Sequence, residues 1–504
     1  MNIAIRDTPV MTSELELKFQ VPEGMVPSLQ LELQRHGARS TRMIAHYFDT
    51  ADELLARHGL SLRLRREGRQ WVQTLKAEGD SIVRRFEHNV PLRVPSGSQP
   101  RLALERHDGT EAGAALRKAL AHAGTPDLVE RFVTDVSRRA CELHSPGAVI
   151  EAALDRGAIR VGDRSMPICE LELEYKSGDS RLLFALAKAW SAHGGLWLNT
   201  LSKAGRGALL ASKQAHGPAV KAGVPALSSH MDGAQMLRAM MRSALDHVLA
   251  NASELASGST DEEHIHQLRV GLRRLRTALR EVGSLAQGVK PAWDEPLSET
   301  FARLGEVRDN ETVARAVRPL LEQAGAPKLE WQAPALTIDP GATVRDARFQ
   351  STLIELLEFA LHEEETSGRP AAPHAEAMAH VRTRLSRLHK QVVQSGKRFE
   401  ALSREEQHRV RKRLKRLRYL SEFVEPLWKG KDARRYLRHL GPAQDALGAH
   451  NDVAVAMQNF RKDAEQDPRA LFAAGYLQSH LDITARAAHT ALKRVADAPC
   501  FWKR

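Results

Sequence analysis

At 504 residues, with 42% hydrophobic side chains, the chain is too long for a single compact core and apolar enough to build two or three. A formal charge of +12 favours polyanionic partners such as nucleic acid, phosphate compounds or an acidic surface, and says nothing about fold. Cys141, Cys169 and Cys500 lie far apart at neither metal-ligand nor redox spacing, which argues against a disulfide framework and fits a reducing compartment. The opening MNIAIRDTPV has no long apolar core, and no later apolar run reaches membrane-spanning length. The expectation is a soluble cytoplasmic protein with no membrane partner.

The stretch SELELKFQ, Ser13 to Gln20, predicts a β-strand with Leu15, Leu17 and Phe19 on one face and Glu14, Glu16 and Lys18 on the other. Taken alone, such a strand buries its leucines and leaves its charges in water. Short alternating segments broken by Gly, Pro and Asp continue to about residue 210, the spacing of an antiparallel β domain. In SLRLRR, Arg63 and Arg65 share one face; in ELELEY, Glu170, Glu172 and Glu174 do, with leucines opposite each time. If the sheet closes on itself, these complementary charges line its interior and the leucines pack against outer helices. Buried like charges are costly unless neutralised, so such an interior implies a hard cation on the acids and an anion on the bases. Triphosphate with magnesium or manganese meets both demands.

The stretch AHGPAVKAGVPALSSHMDG, His216 to Gly233, lacks either periodicity and reads as a linker where truncation cuts few contacts. Beyond it the patterns are helical and repeat: HQLRVGLRRLRTALR from His266 overlays HRVRKRLKRLRYLSE from His408, and LGEVRDN from Leu304 overlays LGAHNDV from Leu447. In the first copy His266, Arg269, Arg273, Arg276 and Arg280 form a stripe along one helix side, with Arg274 beside it. In the second, His408, Arg411, Lys412, Lys415, Arg418 and Tyr419 do the same, with Arg416 alongside. Leu268, Leu272 and Leu275, matched by Val410, Leu414 and Leu417, give each helix a separate apolar face, so the basic stripes are expected to be free for a partner. Asp309 and Asp452 read as helix caps or as residues orienting the arginines.

The ExExK pattern of ELELKF is followed by YFDT (Tyr47 to Thr50), LRLR (Leu62 to Arg65), Lys76, LDRG (Leu154 to Gly157), ELELE (Glu170 to Glu174) and SKAGRG from Ser202. This ordered set resembles the CYTH family of triphosphate tunnel metalloenzymes over roughly the first 210 residues. The resemblance implies an α+β domain built on an antiparallel eight-stranded β-barrel. Glu14, Glu16, Asp155, Glu170 and Glu172 match its metal-coordinating acids, and the metal would be magnesium or manganese. Lys18, Arg63, Arg65, Lys76, Arg138 and Lys203 match its phosphate-gripping bases, with Arg85 and Glu87 lining the same tunnel; Glu14, Glu16, Lys18 and Lys76 form the implied catalytic set. From Met231 to Arg504 the repeats resemble the CHAD domain, which implies an all-α duplicated bundle that binds inorganic polyphosphate through the histidines, both basic stripes and Tyr419.

The expected organisation is multidomain: a tunnel domain at 1–215, a linker at 216–230, and a helical domain at 231–504 with repeats at 231–372 and 373–504. The pair resembles bacterial inorganic triphosphatases with the same two parts, which implies hydrolysis of inorganic triphosphate to diphosphate and phosphate. A CYTH adenylate cyclase, an enzyme of another triphosphate such as thiamine triphosphate or ATP, and an inactive polyphosphate- or RNA-binding scaffold are the alternatives. Only 5% of the residues are aromatic and the stripes carry almost none, unlike single-strand nucleic-acid grooves, though duplex RNA gripped by its backbone stays open.

Overall fold

The computed structural model describes residues 13–95, 98–121, 127–327, 338–362, 372–428 and 431–503. Among these residues nine strands form one antiparallel sheet: β1 (Ser13–Gln20), β2 (Arg39–Asp49), β3 (Leu60–Glu67), β4 (Gln70–Ser81), β5 (Arg84–Leu92), β6 (Val129–Ser145), β7 (Ala148–Val161), β8 (Arg164–Gly178) and the short β9 (Trp197–Leu198). Their order is β5-β4-β3-β2-β6-β7-β8-β1-β9, and a further β5–β1 pairing closes the first eight into a barrel.

Closure decides which face of β1 is inside. Leu15, Leu17 and Phe19 are buried, as are Leu171 and Leu173 of β8 and Leu60, Leu62 and Leu75 of β3 and β4. These outward leucines are covered by helices: α1 (Val26–Arg35) against β6 and β7, α2 (Leu54–Arg57) against β3, α3 (Glu111–Leu120) against β4, and α4 (Arg181–Gly194) against β8. The core therefore lies outside the barrel wall, and the charged faces line its interior. One part of the interior is apolar instead: Ala45, Tyr47, Phe132, Val136, Ile159 and Ile168 pack with Ala204 and Leu210 of α5 (Lys203–Ala211). Local chemistry supports the turns. Asp49 of the YFDT stretch accepts from the amides of Thr50, Leu55 and Ala56 at 2.7, 2.8 and 2.9 Å and so nucleates α2.

Among the described residues nine further helices follow: α6 (Gly233–Ala256), α7 (Glu262–Val282), α8 (Asp294–Gln323), α9 (Pro340–Val344), α10 (Ala347–Leu361), α11 (His374–Gly396), α12 (Arg404–Val424), α13 (Asp432–Asp463) and α14 (Ala470–Asp497). The apolar positions read from the repeats, Leu268, Leu272, Leu275, Val410, Leu414 and Leu417, are all buried. A second helical core joins Val313 and Val317 of α8 to Val453, Met457 and Phe460 of α13 and Leu477 of α14. No helix of the described residues is long and apolar enough to cross a membrane.

The chain divides into two compact units whose first break, Val220/Lys221, falls within the 216–230 stretch, but two later segments join the first unit. One comprises Met1–Val220 together with Leu249–Thr260 and Val344–Glu358; the other holds Lys221–Val248, Asp261–Thr343 and Phe359–Arg504. Within the first, the Gly217 amide donates to Glu254 at 3.0 Å, Asn251 exchanges hydrogen bonds with the Val220 backbone at 3.1 and 2.9 Å, and Gln350 accepts from the Leu198 amide at 2.8 Å. The expectation that truncation at the linker cuts few contacts is thus corrected. A stretch rich in Gly, Pro and Ala has no periodicity, yet its backbone groups are bonded to helix side chains.

Candidate functional site

Direct pairing in an antiparallel sheet puts partners on the same face, so register alone assembles the interior. Lys18 faces Glu172 across β1–β8, Glu170 faces Asp155 across β8–β7, and Asp155 faces Arg138 across β7–β6. On the other side Lys76 faces Glu87 across β4–β5, and Glu14 faces Arg85 across β1–β5. A cavity of about 590 Å3 is lined by Glu14, Glu16, Lys18, Arg63, Arg65, Lys76, Arg85, Glu87, Arg138, Asp155, Glu172 and Lys203. Twelve of the thirteen tunnel residues expected from the sequence therefore meet in one space. The exception is Glu170, which is fully buried behind that wall, because the start of α5 covers it.

The interior is neutralised by ion pairs. Arg138 donates to both oxygens of Asp155 at 2.8 and 2.7 Å and also to Glu172. Lys203 lies 2.7 Å from Asp155 and 2.7 Å from Glu172 and contacts Glu170 as well. Across the cavity Lys76 bridges Glu87 and Glu14, the latter at 3.5 Å, while Arg63 donates to the Tyr47 hydroxyl at 3.0 Å. Oxygens of Asp155, Glu170 and Glu172 converge within 4.8 Å of one another. An all-carboxylate set of hard oxygens fits a hard divalent cation such as magnesium, manganese or calcium.

Burial and these pairs move the ionisation equilibria apart. Burial would raise the Asp155 and Glu172 carboxyls, but Lys203 and Arg138 outweigh it and hold both below the usual carboxylate range. Glu14 goes the other way: burial pushes it up to about 8, with Glu87 adding to the rise and Lys76 opposing it. Burial, then Glu172, raises Glu16. Burial also lowers Lys18 to about 8, and burial with neighbouring Arg63 lowers Arg65 to about 10.

Several interior residues escaped the sequence reading. Tyr47, Glu151, Lys176 and Arg131 line the cavity, as does Glu174, which shares the inward face of Glu172. Arg206 pairs with Glu170; its signal was its position three residues after Lys203 in SKAGRG, on the same helix face.

In the helical unit the basic stripes are not simply open. Arg274 is buried, contacts Glu422 at 2.6 Å and lies over the Phe423 ring at 4.4 Å. Arg276 is held by Asp294 at 2.7 Å, Arg416 by Glu281 at 3.3 Å, and Arg418 by Glu422 at 2.7 Å. The first three meet acids from other helices that one-helix spacing cannot reveal, whereas Arg418 and Glu422 are four residues apart on α12. Arg269, Arg273, Arg411 and Lys415 converge from α7 and α12. Arg269 and Arg273 lie 4.8 and 5.4 Å from the Phe301 ring centroid, and Arg273 reaches the buried Tyr419 hydroxyl at 3.3 Å. Burial, then Arg273, Arg411 and Arg269, lowers Lys415 to about 6. His408 and Lys412 are exposed at the rim of the same helix, and His266 is half-buried on α7. Asp452 stands inside α13 and so is no cap; its charge acts on Lys415. The Asp309 side chain lies outside the described ones.

Comparison with known proteins agrees with this geometry. The family model for the CYTH domain matches residues 12–208, and that for the CHAD domain matches 239–461. The chain carries a CYTH domain followed by a CHAD domain. Among curated proteins it is 30% identical over 216 residues to the inorganic triphosphatase of Haemophilus influenzae, covering 41% of this chain and 57% of that relative's length. Among solved structures, the CHAD domain from the plant Ricinus communis aligns with TM-score 0.46 and 26% identity over 57% of this chain and 98% of its own. A putative adenylyl cyclase from Hippeastrum, described as having a dominant triphosphatase activity, aligns with TM-score 0.28 and 17% identity over 40% of this chain and 96% of its own.

Proposed function

We propose that the CYTH domain hydrolyses inorganic triphosphate to diphosphate and phosphate with magnesium or manganese, and that the CHAD domain binds inorganic polyphosphate. The observation that carries the first part is the facing arrangement inside the barrel. Asp155 and Glu172, with Arg138 and Lys203 between them, stand on one wall, and Arg63, Arg65 and Lys76 belong to the strands β3 and β4 opposite. Triphosphate would take over the cations from their carboxylate partners, which frees those carboxylates for a divalent ion. A bound ion supplies charge neutralisation at the phosphate oxygens. Glu14 and Glu16 of β1 face the same space and complete the acidic set. Lys18, Arg63, Arg65, Lys76, Arg85, Arg138 and Lys203 bind and orient the chain so that its terminal P–O–P bridge lies in line with a water. That water loses a proton to a tunnel carboxylate as it attacks; the bridging bond breaks, and phosphate and diphosphate leave. The relative in Haemophilus influenzae, named an inorganic triphosphatase, supports this choice among triphosphates.

For the CHAD domain the supporting observation is the convergence of Arg269, Arg273, Arg411 and Lys415 with a depressed lysine at its centre. Three guanidinium groups gathered around a largely buried lysine favour a multivalent anion. Phosphate release from triphosphate, thiamine triphosphate, ATP and long polyphosphate tests the first reading; only the first should turn over rapidly, and faster cyclic AMP formation from ATP would favour a cyclase. Salt-dependent binding of long polyphosphate to the full chain, with RNA of matched charge as competitor, tests the second.

A further inference from the structure

The segment SKAGRG places two cations, Lys203 and Arg206, three residues apart on one face of α5. Two features fix that face. Ser202 caps the helix by accepting from the Gly205 amide at 2.9 Å, and Gly207 lets the helix approach β6, since a Cβ there would fall 2.2 Å from the Phe132 ring. Lys203 reaches all three carboxylates of the acidic cluster, whereas Arg206, only 9% exposed at its side chain, pairs with Glu170. Glu170 differs from its two neighbours. Asp155 and Glu172 face the cavity and share Arg138; Glu170 is fully buried, with one oxygen on Lys203 and the other on Arg206. Arg138 and Lys203 stand at the cavity wall, where a phosphate can draw them off, and Arg206 does not.

We infer that Arg206 is a positioning residue of the tunnel: it neutralises Glu170, so that Glu170 orients Lys203 and leaves Asp155 and Glu172 as the carboxylates offered to a divalent cation. This rests on the triphosphatase reading and narrows it, because Glu170 then acts through Lys203 and not as a metal ligand. Without the guanidinium, a buried carboxylate keeps Lys203 as its counter-charge and holds that ammonium back from the phosphate. Removing both charges together relieves the conflict, since a buried pair can be replaced by neutral groups at little cost while breaking one side is expensive.

The test uses the full chain as Arg206→Met, Glu170→Gln, the double variant and Glu172→Gln. Manganese binding is titrated without substrate, triphosphate binding is followed by calorimetry, and KM and kcat are measured separately. Arg206→Met should weaken triphosphate binding and raise KM by about tenfold with a smaller change in kcat. The double variant should return both to within about threefold of the parent. Glu170→Gln should keep manganese binding, and Glu172→Gln should lose it. The inference is overturned if Glu170→Gln loses manganese as fully as Glu172→Gln, or if the double variant binds triphosphate no better than Arg206→Met. The two binding measurements need no turnover, so a chain that binds triphosphate without hydrolysing it refutes the triphosphatase reading alone.

Discussion

Replacing Glu172 by Gln removes one negative charge where Arg138 and Lys203 meet, with little change in volume. Hydrolysis should fall on the order of a hundredfold, because a carboxylate offered to the divalent cation is lost, while the melting temperature should fall modestly, because Arg138 and Lys203 lose a shared counter-charge. Steady-state kinetics and calorimetry check this together. Lys415 gives a prediction with a definite sign. Its pKa of about 6 in the free protein means that it is largely neutral above that pH, and a bound polyanion raises it, so binding takes up a proton. Polyphosphate affinity should therefore fall as pH rises from about 6, and Lys415→Met should flatten that dependence; equal slopes in parent and variant would contradict it. At this scale much of the tunnel was legible, because an alternating strand writes its inward face into sequence order. The ion pairs were less so: Arg206 meets Glu170 and Arg274 meets Glu422 across long stretches of chain, and no local period records such partners.

Elements behave according to which face they commit. In α7, Arg273 and Arg274 are adjacent in sequence, yet one stands in the basic centre and the other is buried under Glu422 and Phe423. Arg274→Ala should cost about 3 kcal/mol by stranding part of a buried charge network. Arg273→Ala should leave the melting temperature nearly unchanged and weaken polyphosphate binding. Denaturant titration beside a binding isotherm separates the two. For α5 the decisive position is Gly207, where a methyl group overlaps the Phe132 ring. Gly207→Ala should cost about 1–3 kcal/mol through overpacking and should also raise KM, since a displaced α5 carries Lys203 with it. Helix periodicity revealed the buried leucines of both repeats, because a 3.6-residue period is a local property. That Arg274, Arg276 and Arg416 meet acids on other helices lies beyond such a local period.

In the whole molecule, the compact unit containing the barrel also includes Leu249–Thr260 and Val344–Glu358. A fragment ending at residue 215 lacks the hydrogen-bond partners of Leu198 and Thr200 and should melt well below the full chain. The change from alternating to helical texture near residue 216 was visible in the sequence, but composition could not show that α6 and α10 contribute segments to the first unit. The account depends most on the charged interior being a site for triphosphate. The direct measurement is phosphate release from inorganic triphosphate by the full chain and its Glu172→Gln variant, with magnesium or manganese supplied and then removed by chelation. Rapid release by the parent, abolished by the chelator and by Glu172→Gln, is the predicted result; no release from triphosphate with either metal, or equal release by the variant, would contradict it.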